Sequence, residues 1–358
     1  MITISLCMIV KNEEDVLARC LDSVKDVINE IIIVDTGSTD KTKEIALKYT
    51  DKVYDFEWIN DFSAARNMAF SKATCDYQMW LDADDVCPEA SLKQLLNLKN
   101  ELDPATDMVA MKYITDFDAD GYPILVAIRE RLIKREKGYR WIDPVHECIP
   151  LSGNVLYSDI EIHHRKIKKN TEPSFRNINI YEELEKSGKP FSLRQQYYYA
   201  RELKDHNQWV KSAYYFEKFV NSQGGWVEDK IATCFNLAIC YRILGDTEKV
   251  LPVLTKSFSY DAPRAEICSE IGYHYKRKSD YRTAFKWFKT AANLGEPDSA
   301  GFILQDYWGY IPNIECCVCC CHLGKLELAN EFNERAASYK PGSAAVATNR
   351  ELLQQFVF

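Results

Sequence analysis

Tyr77-Gln78-Met79-Trp80-Leu81-Asp82-Ala83-Asp84-Asp85 runs from a strand-like apolar stretch straight into three carboxylates. Two carboxylates spaced i, i+2 after a strand can converge on one hard cation through a turn. Mg²⁺ and Mn²⁺ take such oxygen ligands and often share them with a diphosphate. A solvated acidic turn capping a helix that starts near Pro88 would read the same way, so the neighbouring segments decide. Upstream, apolar runs at 2–10, 30–35 and 52–56 alternate with helix-forming segments at 13–27, 40–49 and 61–72. Asp40 stands where an N-cap belongs, with Lys43 and Glu44 in the turn that follows. Strand alternating with helix is the signature of an α/β fold with a parallel sheet. Such sheets bind ligands at the carboxyl ends of their strands. Asp35 and the Asp82, Asp84, Asp85 cluster each stand at such an end.

Two further segments carry candidate chemistry. Val34-Asp35-Thr36-Gly37-Ser38-Thr39-Asp40 follows the second run. Gly37 permits a tight turn there, and Asp35 is placed to accept hydrogen bonds from a bound base or ribose. The plainer reading is a helix-capping loop, which Asp40 would satisfy without Asp35. Phe62-Ser63-Ala64-Ala65-Arg66-Asn67 opens the helix before the fourth strand. Arg66 could meet a phosphate as a planar fork, or form a surface salt bridge.

Cys7-Met8-Ile9-Val10-Lys11-Asn12-Glu13, then 34–40, 63–67 and 80–85, appear in the order and spacing of family 2 glycosyltransferases. Roughly residues 1–165 resemble that family, which implies a GT-A fold: Rossmann-like, with a mostly parallel sheet. The resemblance implies roles position by position. Val10, Asn12 and Glu13 would line the nucleotide pocket, Asp35 would bind base or ribose, and Arg66 would face the diphosphate. In Asp82-Ala83-Asp84, the first Asp would touch the ribose or donor sugar and Asp84 would hold Mn²⁺ or Mg²⁺. An acidic pair commonly serves as base later in the family's chains. Here that place reads His146-Glu147, so Glu147 is the first candidate, with His146 and Asp143 behind it. If the acceptor is a thiol, little base strength is needed, because a thiol's pKa is already near 8.5. The alternative is that His146-Glu147 only orders the acceptor loop. A late His often completes the metal shell in this fold. Of His163 and His164, adjacent on a strand and so pointing to opposite faces, His164 is the candidate. The plainer reading is a pair of ordinary boundary histidines.

Beyond residue 169 the strand signals stop. A linker is expected at 170–173, followed by helix after helix. Gly245-Asp246 with Val250, Ser279-Asp280 with Ala284, and Gly324-Lys325 with Ala329 fall on one pattern, and a fourth copy can be placed around Gln208 and Ala213. The 34-residue step from Gly245 to Ser279 resembles tetratricopeptide repeats. The next step is 45 residues, so one unit carries an insertion, placed at 307–312. An irregular helical bundle is the bland alternative. The expected organisation is a GT-A domain at 1–168, a linker and connecting helix at 169–190, and a tetratricopeptide-like helical domain at 191–358. Aromatics such as Tyr197, Tyr198, Tyr199, Trp209, Tyr214, Tyr215, Phe216 and Phe219 should pack between paired helices, with some lining a groove for an extended peptide. Cys316, Cys317, Cys319, Cys320 and Cys321 offer enough ligands for zinc, but consecutive cysteines on a helix point to all its sides. Core packing is the preferred reading.

With 358 residues, 46% of them hydrophobic and 27% charged, the chain has enough apolar surface for two cores. A net charge of -8 argues against a nucleic-acid binder. No apolar run reaches the roughly 18–20 residues that span a bilayer, so no membrane span is expected. The start alternates rather than forming a signal peptide, and thirteen cysteines without an export signal suggest a reducing, cytoplasmic setting. The expected activity is a metal-dependent, inverting transfer of one sugar from a nucleotide sugar, a UDP-hexose or UDP-N-acetylhexosamine. The combination with a helical half is similar to bacterial peptide and protein glycosyltransferases, including the S-glycosyltransferases of glycocin biosynthesis. That implies a peptide or protein acceptor, and helical repeats can also pair chains into a homodimer. The rival readings are a non-catalytic repeat scaffold with a vestigial sugar-nucleotide site, and a transferase that acts on a glycan.

Overall fold

The computed structural model describes residues 1–167 and 174–355. The linker expected at 170–173 lies outside the described residues. The chain forms two compact units, one of residues 1–117 and 126–188, the other of 118–125 and the chain from 189 on.

The first unit is built on a mixed, mostly parallel sheet. Its strands are β1 (Ile4–Val10), β2 (Glu30–Asp35), β3 (Val53–Asp55), β4 (Tyr77–Trp80), β5 (Asp85–Val86), β6 (Met108–Phe117), β7 (Pro123–Lys134) and β8 (Val155–His164), in the order β3-β2-β1-β4-β7-β6-β8-β5. The first four in that order run parallel. β7 is antiparallel to β4, β8 parallel to β6, and β5 antiparallel to β8. Side-chain alternation along β1 divides the core. Ile4, Leu6, Met8 and Val10 enter one apolar cluster together with Leu17, Leu21, Ala46 and Leu95. Those partners lie on the helices α1 (Leu17–Asp22), α2 (Thr42–Ala46) and α4 (Glu89–Glu101). Cys7 and Ile9 face the other way, toward Ala69 and Phe70 of α3 (Phe62–Ser71).

α1 and α2 are shorter than their expected 13–27 and 40–49, because polar side chains take the backbone groups a longer helix would need. Asn12 sits at φ 55°, donates its N–H to Ser38 Oγ, and accepts Thr39 N–H on Oδ1. Glu14 Oε2 accepts from Lys41 N, and Asp40 accepts from Glu14 N and Thr42 N. Asp40 is thus a stitch between two loops, and Lys41 occupies the cap position expected for it. α3 has the expected bounds because Asp61 caps it, accepting from Ala64 N at 2.9 Å. The helix α5 (Arg176–Lys186) belongs to the first unit and buries Ile178, Ile180 and Tyr181.

The second unit stacks helices in pairs: α6 (Leu193–Asp205) with α7 (Trp209–Val220), α8 (Val227–Leu244) with α9 (Thr247–Lys256), and α10 (Ala265–Arg277) with α11 (Tyr281–Ala292). α12 (Tyr310–His322) pairs with α13 (Leu326–Tyr339), and α14 (Ala344–Gln354) follows. One turn repeats in all four pairs. Asn207, Gly245, Ser279 and Gly324 are left-handed, with φ 59°, 84°, 59° and 69°. The next residue in each donates its N–H back five positions: Gln208 to Leu203, Asp246 to Tyr241, Asp280 to Tyr275, Lys325 to Cys320. This is the helix-terminating bond that left-handed caps make. The fourth copy is therefore in register at Asn207 and Ser212, one residue before the expected Gln208 and Ala213. Ser212, Val250, Ala284 and Ala329 are buried where each second helix meets the first.

The insertion lies earlier than 307–312: it is the stretch 293–309 between α11 and α12, and Pro312 sits in the first turn of α12. It packs onto the first helices of the pairs. Phe302 lies 5.0 Å from the Arg201 guanidinium of α6, Gly301 abuts Glu228 of α8, and the Tyr307 and Phe235 rings meet edge-on at 5.9 Å. Trp308 joins Ala265 and Cys268. The aromatics of this unit are largely core, as expected, with Tyr199, Phe216 and Phe219 fully buried, while Tyr214 is exposed. Cys316, Cys317, Cys319 and Cys320 pack against Phe288, Ala329 and Phe332, and burial pushes the Cys317 and Cys319 thiols up to about 12. No helix among the described residues is long and apolar enough to cross a membrane.

Gly272 of α10 tests how tightly the pairs close. A Cβ there would stand 2.8 Å from the Phe288 ring of α11. Gly272→Ala gains about 1 kcal/mol of helix propensity. Overpacking a core of this kind costs about 1–3 kcal/mol. The expected result is net destabilisation of about 1 kcal/mol in chemical denaturation; a more stable variant would show that Phe288 moves freely.

Candidate active site

Three strands deliver the site. β2 ends in Asp35, β4 runs into the Asp82–Asp85 turn, and β8 ends in His164, directly opposite Asp85 in the β5/β8 ladder. Asp35 is buried, and its Oδ1 accepts from Gly37 N at 2.8 Å and Ser38 N at 2.7 Å. Gly37, at φ 98°, is the residue that lets the chain fold back this tightly. Asp35 Oδ2 is buried with no protein partner. A buried carboxylate oxygen without a donor costs free energy unless a ligand supplies one. Val10 and Ala83 turn their side chains into the apolar core, so only their backbone can meet a ligand. The Val10 carbonyl already accepts from Thr36 N at 2.9 Å. Asn12 braces the 38–39 loop instead of standing open to a ligand.

Arg66 is buried between two indole rings, its guanidinium 4.9 Å from Trp80 and 4.8 Å from Trp141. Its Nε donates to Glu147 Oε1 at 2.6 Å and its Nη2 to Asp82 Oδ1 at 2.7 Å. The fork expected to face a diphosphate is thus turned onto two carboxylates, which leaves Nη1 buried without a protein partner. The structure does bring together Arg66, Asp82 and Glu147, which are far apart in sequence. The loop that carries Glu147 is held by α3. Asn67 exchanges two 3.0 Å hydrogen bonds with the Trp141 backbone, and Phe62 N donates to Pro144 O. Asp143 and His146 take left-handed conformations on that loop, at φ 70° and 53°. The His146 ring stacks toward Tyr181 at 6.3 Å.

The second cluster holds Asp84, Asp85 and His164. His164 Nδ1 stands 3.2 Å from Asp84 Oδ1 and 3.5 Å from Asp85 Oδ1. His163 points away and bonds Glu161 at 2.8 Å. These three are the one group of metal-capable side chains among the described residues. Asp85, however, has no exposure, and three donors already take most of its acceptor capacity. Its Oδ2 accepts from Arg131 Nη1 and Asp82 N, both at 3.0 Å, and its Oδ1 from Tyr113 OH at 2.9 Å. Arg131 is equally buried, 3.8 Å from the Trp80 ring and 4.2 Å from that of Tyr113.

The charges set the protonation states. Burial favours the neutral form of Asp82, but Arg66 and Arg131 outweigh it and hold its carboxyl at about 2. Burial would lower His164, yet the Asp84 and Asp85 carboxylates lift it to about 10. Glu13 is pushed up to about 7, first by burial and then by Asp84, Asp82 and Asp40. The Asp84 side of the site is therefore rich in negative charge: among the described residues His164 pairs with Asp84, and Arg176 acts on Glu13 only as a lesser influence.

Sequence reasoning missed Arg131, Tyr113 and Trp141. The signal was the charged run Arg129-Glu130-Arg131 set between apolar residues of one strand, where an inward-facing charge requires a buried partner.

Residues 5–156 match the glycosyl transferase family 2 model. This stretch is a family 2 domain. The family 2 domain has relatives at moderate identity. A TPR repeat-containing protein of Synechococcus elongatus is 38% identical over 149 residues, 42% of this chain and 36% of that protein. The SPbeta prophage-derived glycosyltransferase SunS of Bacillus subtilis is 28% identical over 235 residues, 62% of this chain and 54% of SunS. The chain thus spans between about a third and a half of these relatives. Among solved structures, glucosyl-3-phosphoglycerate synthase from Mycobacterium tuberculosis with Mn²⁺ and UDP-glucose is 16% identical, covering 53% of this chain and 81% of that one at a TM-score of 0.36. A TPR protein of Thermus thermophilus is 15% identical, covering 50% and 90%, also at 0.36.

Arg66→Met removes the cation between Asp82 and Glu147 in the family 2 domain. Breaking a buried pair from one side costs about 3–5 kcal/mol. A loss on the order of 3 kcal/mol is expected in urea unfolding at pH 7. Because Asp82 sits below its ordinary value in the wild type, its contribution is complete above about pH 4 and lost as pH falls toward 2. The gap between wild type and variant should therefore narrow at pH 3. A gap that stays constant with pH would show that Asp82 takes no part.

Proposed function

We propose that this chain is a metal-dependent glycosyltransferase that moves one sugar from a nucleotide sugar to a peptide or protein side chain. A UDP-hexose or UDP-N-acetylhexosamine is the donor class, and a single displacement inverts the anomeric carbon. The observation that carries the reading is the gathering of Asp35, Asp82, Asp84 and His164 at the strand ends of a family 2 domain.

The donor set fits a hard divalent ion. A carboxylate and an imidazole, both partly exposed and 3.2 Å apart, lie in a field of surplus negative charge. Asp84 and His164 are the residues that would hold Mn²⁺ or Mg²⁺, with Asp85 behind them. Such an ion, when bound, neutralises charge on a departing nucleoside diphosphate. The chain's own groups supply the rest. The unpartnered Oδ2 of Asp35 accepts from a nucleoside N–H or hydroxyl. Asp82, kept ionised by Arg66, accepts from a ribose or sugar hydroxyl on its exposed side. Glu147 takes the acceptor's proton as the acceptor atom bonds the anomeric carbon and the diphosphate leaves with the old C–O electrons. A thiol acceptor, which gives up its proton readily, would ask little base strength of Glu147. A polypeptide acceptor is supported by the helical unit, since stacked helix pairs present long surfaces. Self-association through that unit belongs to the same proposal.

Nucleotide release from UDP- and GDP-sugars with Mn²⁺ tests the reading. The expected result is release from one donor, abolished by a chelator and by Asp84→Ala, with binding of that donor retained by the wild type. If no donor is bound or hydrolysed, and none is consumed when peptides are added, the transferase reading falls and a scaffold role stands. A second check concerns Asp35→Asn, which keeps the Oδ1 acceptor for Gly37 and Ser38 but places a donor where Oδ2 was. The half-denaturation point should barely move while the KM for the donor rises about tenfold to a hundredfold, the range lost with a hydrogen bond to a charged group. An unchanged KM would remove Asp35 from the nucleoside pocket.

A further inference from the structure

We propose that Asp85 and Tyr113 are positioning residues of the metal site: Asp85 binds no cation itself, and with the Tyr113 hydroxyl it fixes His164 against Asp84. This rests on the metal-dependent reading above. By distance alone Asp85 belongs with Asp84 and His164 as a third ligand. Its hydrogen bonds say otherwise. Both of its oxygens are taken, by Arg131 and Asp82 N on one side and by Tyr113 on the other. Its charge is already balanced by Arg131 at 3.0 Å, and neither side chain has any exposure. A cation entering there would meet a fully buried carboxylate whose charge Arg131 already balances and whose Oδ1, bonded by Tyr113, lies 3.5 Å from His164 Nδ1. Asp84 and His164 are partly exposed and open to an entering ion.

Tyr113 connects the two halves. Its hydroxyl has one proton to give. An ionised Asp85 can only accept, so that proton goes to Asp85 Oδ1 at 2.9 Å. The Tyr113 hydroxyl oxygen stands 3.2 Å from His164 Nδ1, and the rings of Tyr113 and His164 meet edge-on at 6.0 Å. The imidazole is thus braced on three sides: by the Tyr113 ring, by its hydroxyl, and by the ladder pairing of the His164 backbone with Asp85. The Tyr113 ring separately covers the Arg131 guanidinium at 4.2 Å. Ring and hydroxyl therefore have distinct tasks, and Tyr113→Phe removes only the second. Partners of this kind, behind the ligands, typically change metal affinity about tenfold to a hundredfold.

The test titrates the full-length chain with Mn²⁺ alone, following loss of the free ion's paramagnetic resonance signal, with thermal unfolding measured in parallel. Wild type should bind one ion and Asp84→Ala none. Tyr113→Phe should bind one ion at least tenfold more weakly, with its near-UV circular dichroism intact. Asp85→Asn, nearly identical in shape, should likewise weaken binding without abolishing it. Wild-type affinity in Tyr113→Phe, with binding still lost in Asp84→Ala, would overturn this inference and leave the metal site standing. Complete loss of the ion in a folded Asp85→Asn would make Asp85 a ligand and overturn it too. Weaker binding that only tracks loss of the folded signal would reduce Tyr113 to a packing role. If wild type binds no Mn²⁺, the metal-dependent reading and this inference fail together.

Discussion

Asp85 and Arg131 meet at 3.0 Å with no exposure to water, and the rest of the site takes its shape from that pair. A buried charge is tolerated only when paired and hydrogen-bonded, so each partner must gather further contacts. Asp85 gathers the Asp82 backbone N–H and the Tyr113 hydroxyl. Arg131 gathers the Trp80 carbonyl and two aromatic faces. Those contacts come from β4, β6 and β7, and they fix where the chain leaves β4. An apolar pair of the same volume could stabilise the sheet as well or better. It could not dictate that Asp82 and Asp84 leave the turn on the side they do, because apolar contacts carry no direction.

A second buried arginine repeats the arrangement one layer out. Arg66 lies on the other face of Trp80's surroundings and joins Asp82 to Glu147. The indole of Trp80 is itself anchored, its Nε1 donating to the Glu130 carbonyl. Two guanidiniums therefore compensate Asp82, Asp85 and Glu147, and one carboxylate is left over even before Asp84 and Glu13 are added. Asp85 and Glu147 lie inward, while Asp82, Asp84 and His164 are partly exposed.

The sequence was most legible where period and local chemistry agree. β2 matches its apolar run, α3 matches a helix whose cap was Asp61, and the alternation along β1 sorted two cores. Legibility failed where side chains bind across loops. The helices at 13–27 and 40–49 shrink because Asn12, Glu14 and Asp40 satisfy each other's backbone, a trade invisible to helix propensity. At the candidate site, Asp35, Asp82, Asp84 and His164 were singled out because each ends a strand or stands in the turn after one. Arg131 and Tyr113 were not, since a residue in mid-strand shows its partner only once β4, β6 and β7 are aligned. Arg66 was singled out from its segment, but its pairing with the carboxylate of Glu147, 81 positions away, could not be read from sequence.

The helical unit shows why a repeat can hide an insertion. Each pair is closed by the same bond from the residue after a left-handed cap, and that bond involves only residues of its own turn. Extra residues between pairs leave it untouched, so the step can grow from 34 to 45 residues without loss of register. The added chain still has apolar side chains to bury, and the first helices of the earlier pairs are what it finds: Phe302 on Arg201, Tyr307 on Phe235, Trp308 beside Cys268. Some of the aromatics expected either in the core or along a peptide groove, Tyr197, Tyr198 and Tyr199, lie on α6, which Phe302 meets at Arg201. A polypeptide seated there would have to displace a tethered segment, and a tethered competitor acts at high effective concentration. Any acceptor held by this unit must therefore either contact faces that the insertion leaves open or outcompete Phe302 and Tyr307 for theirs.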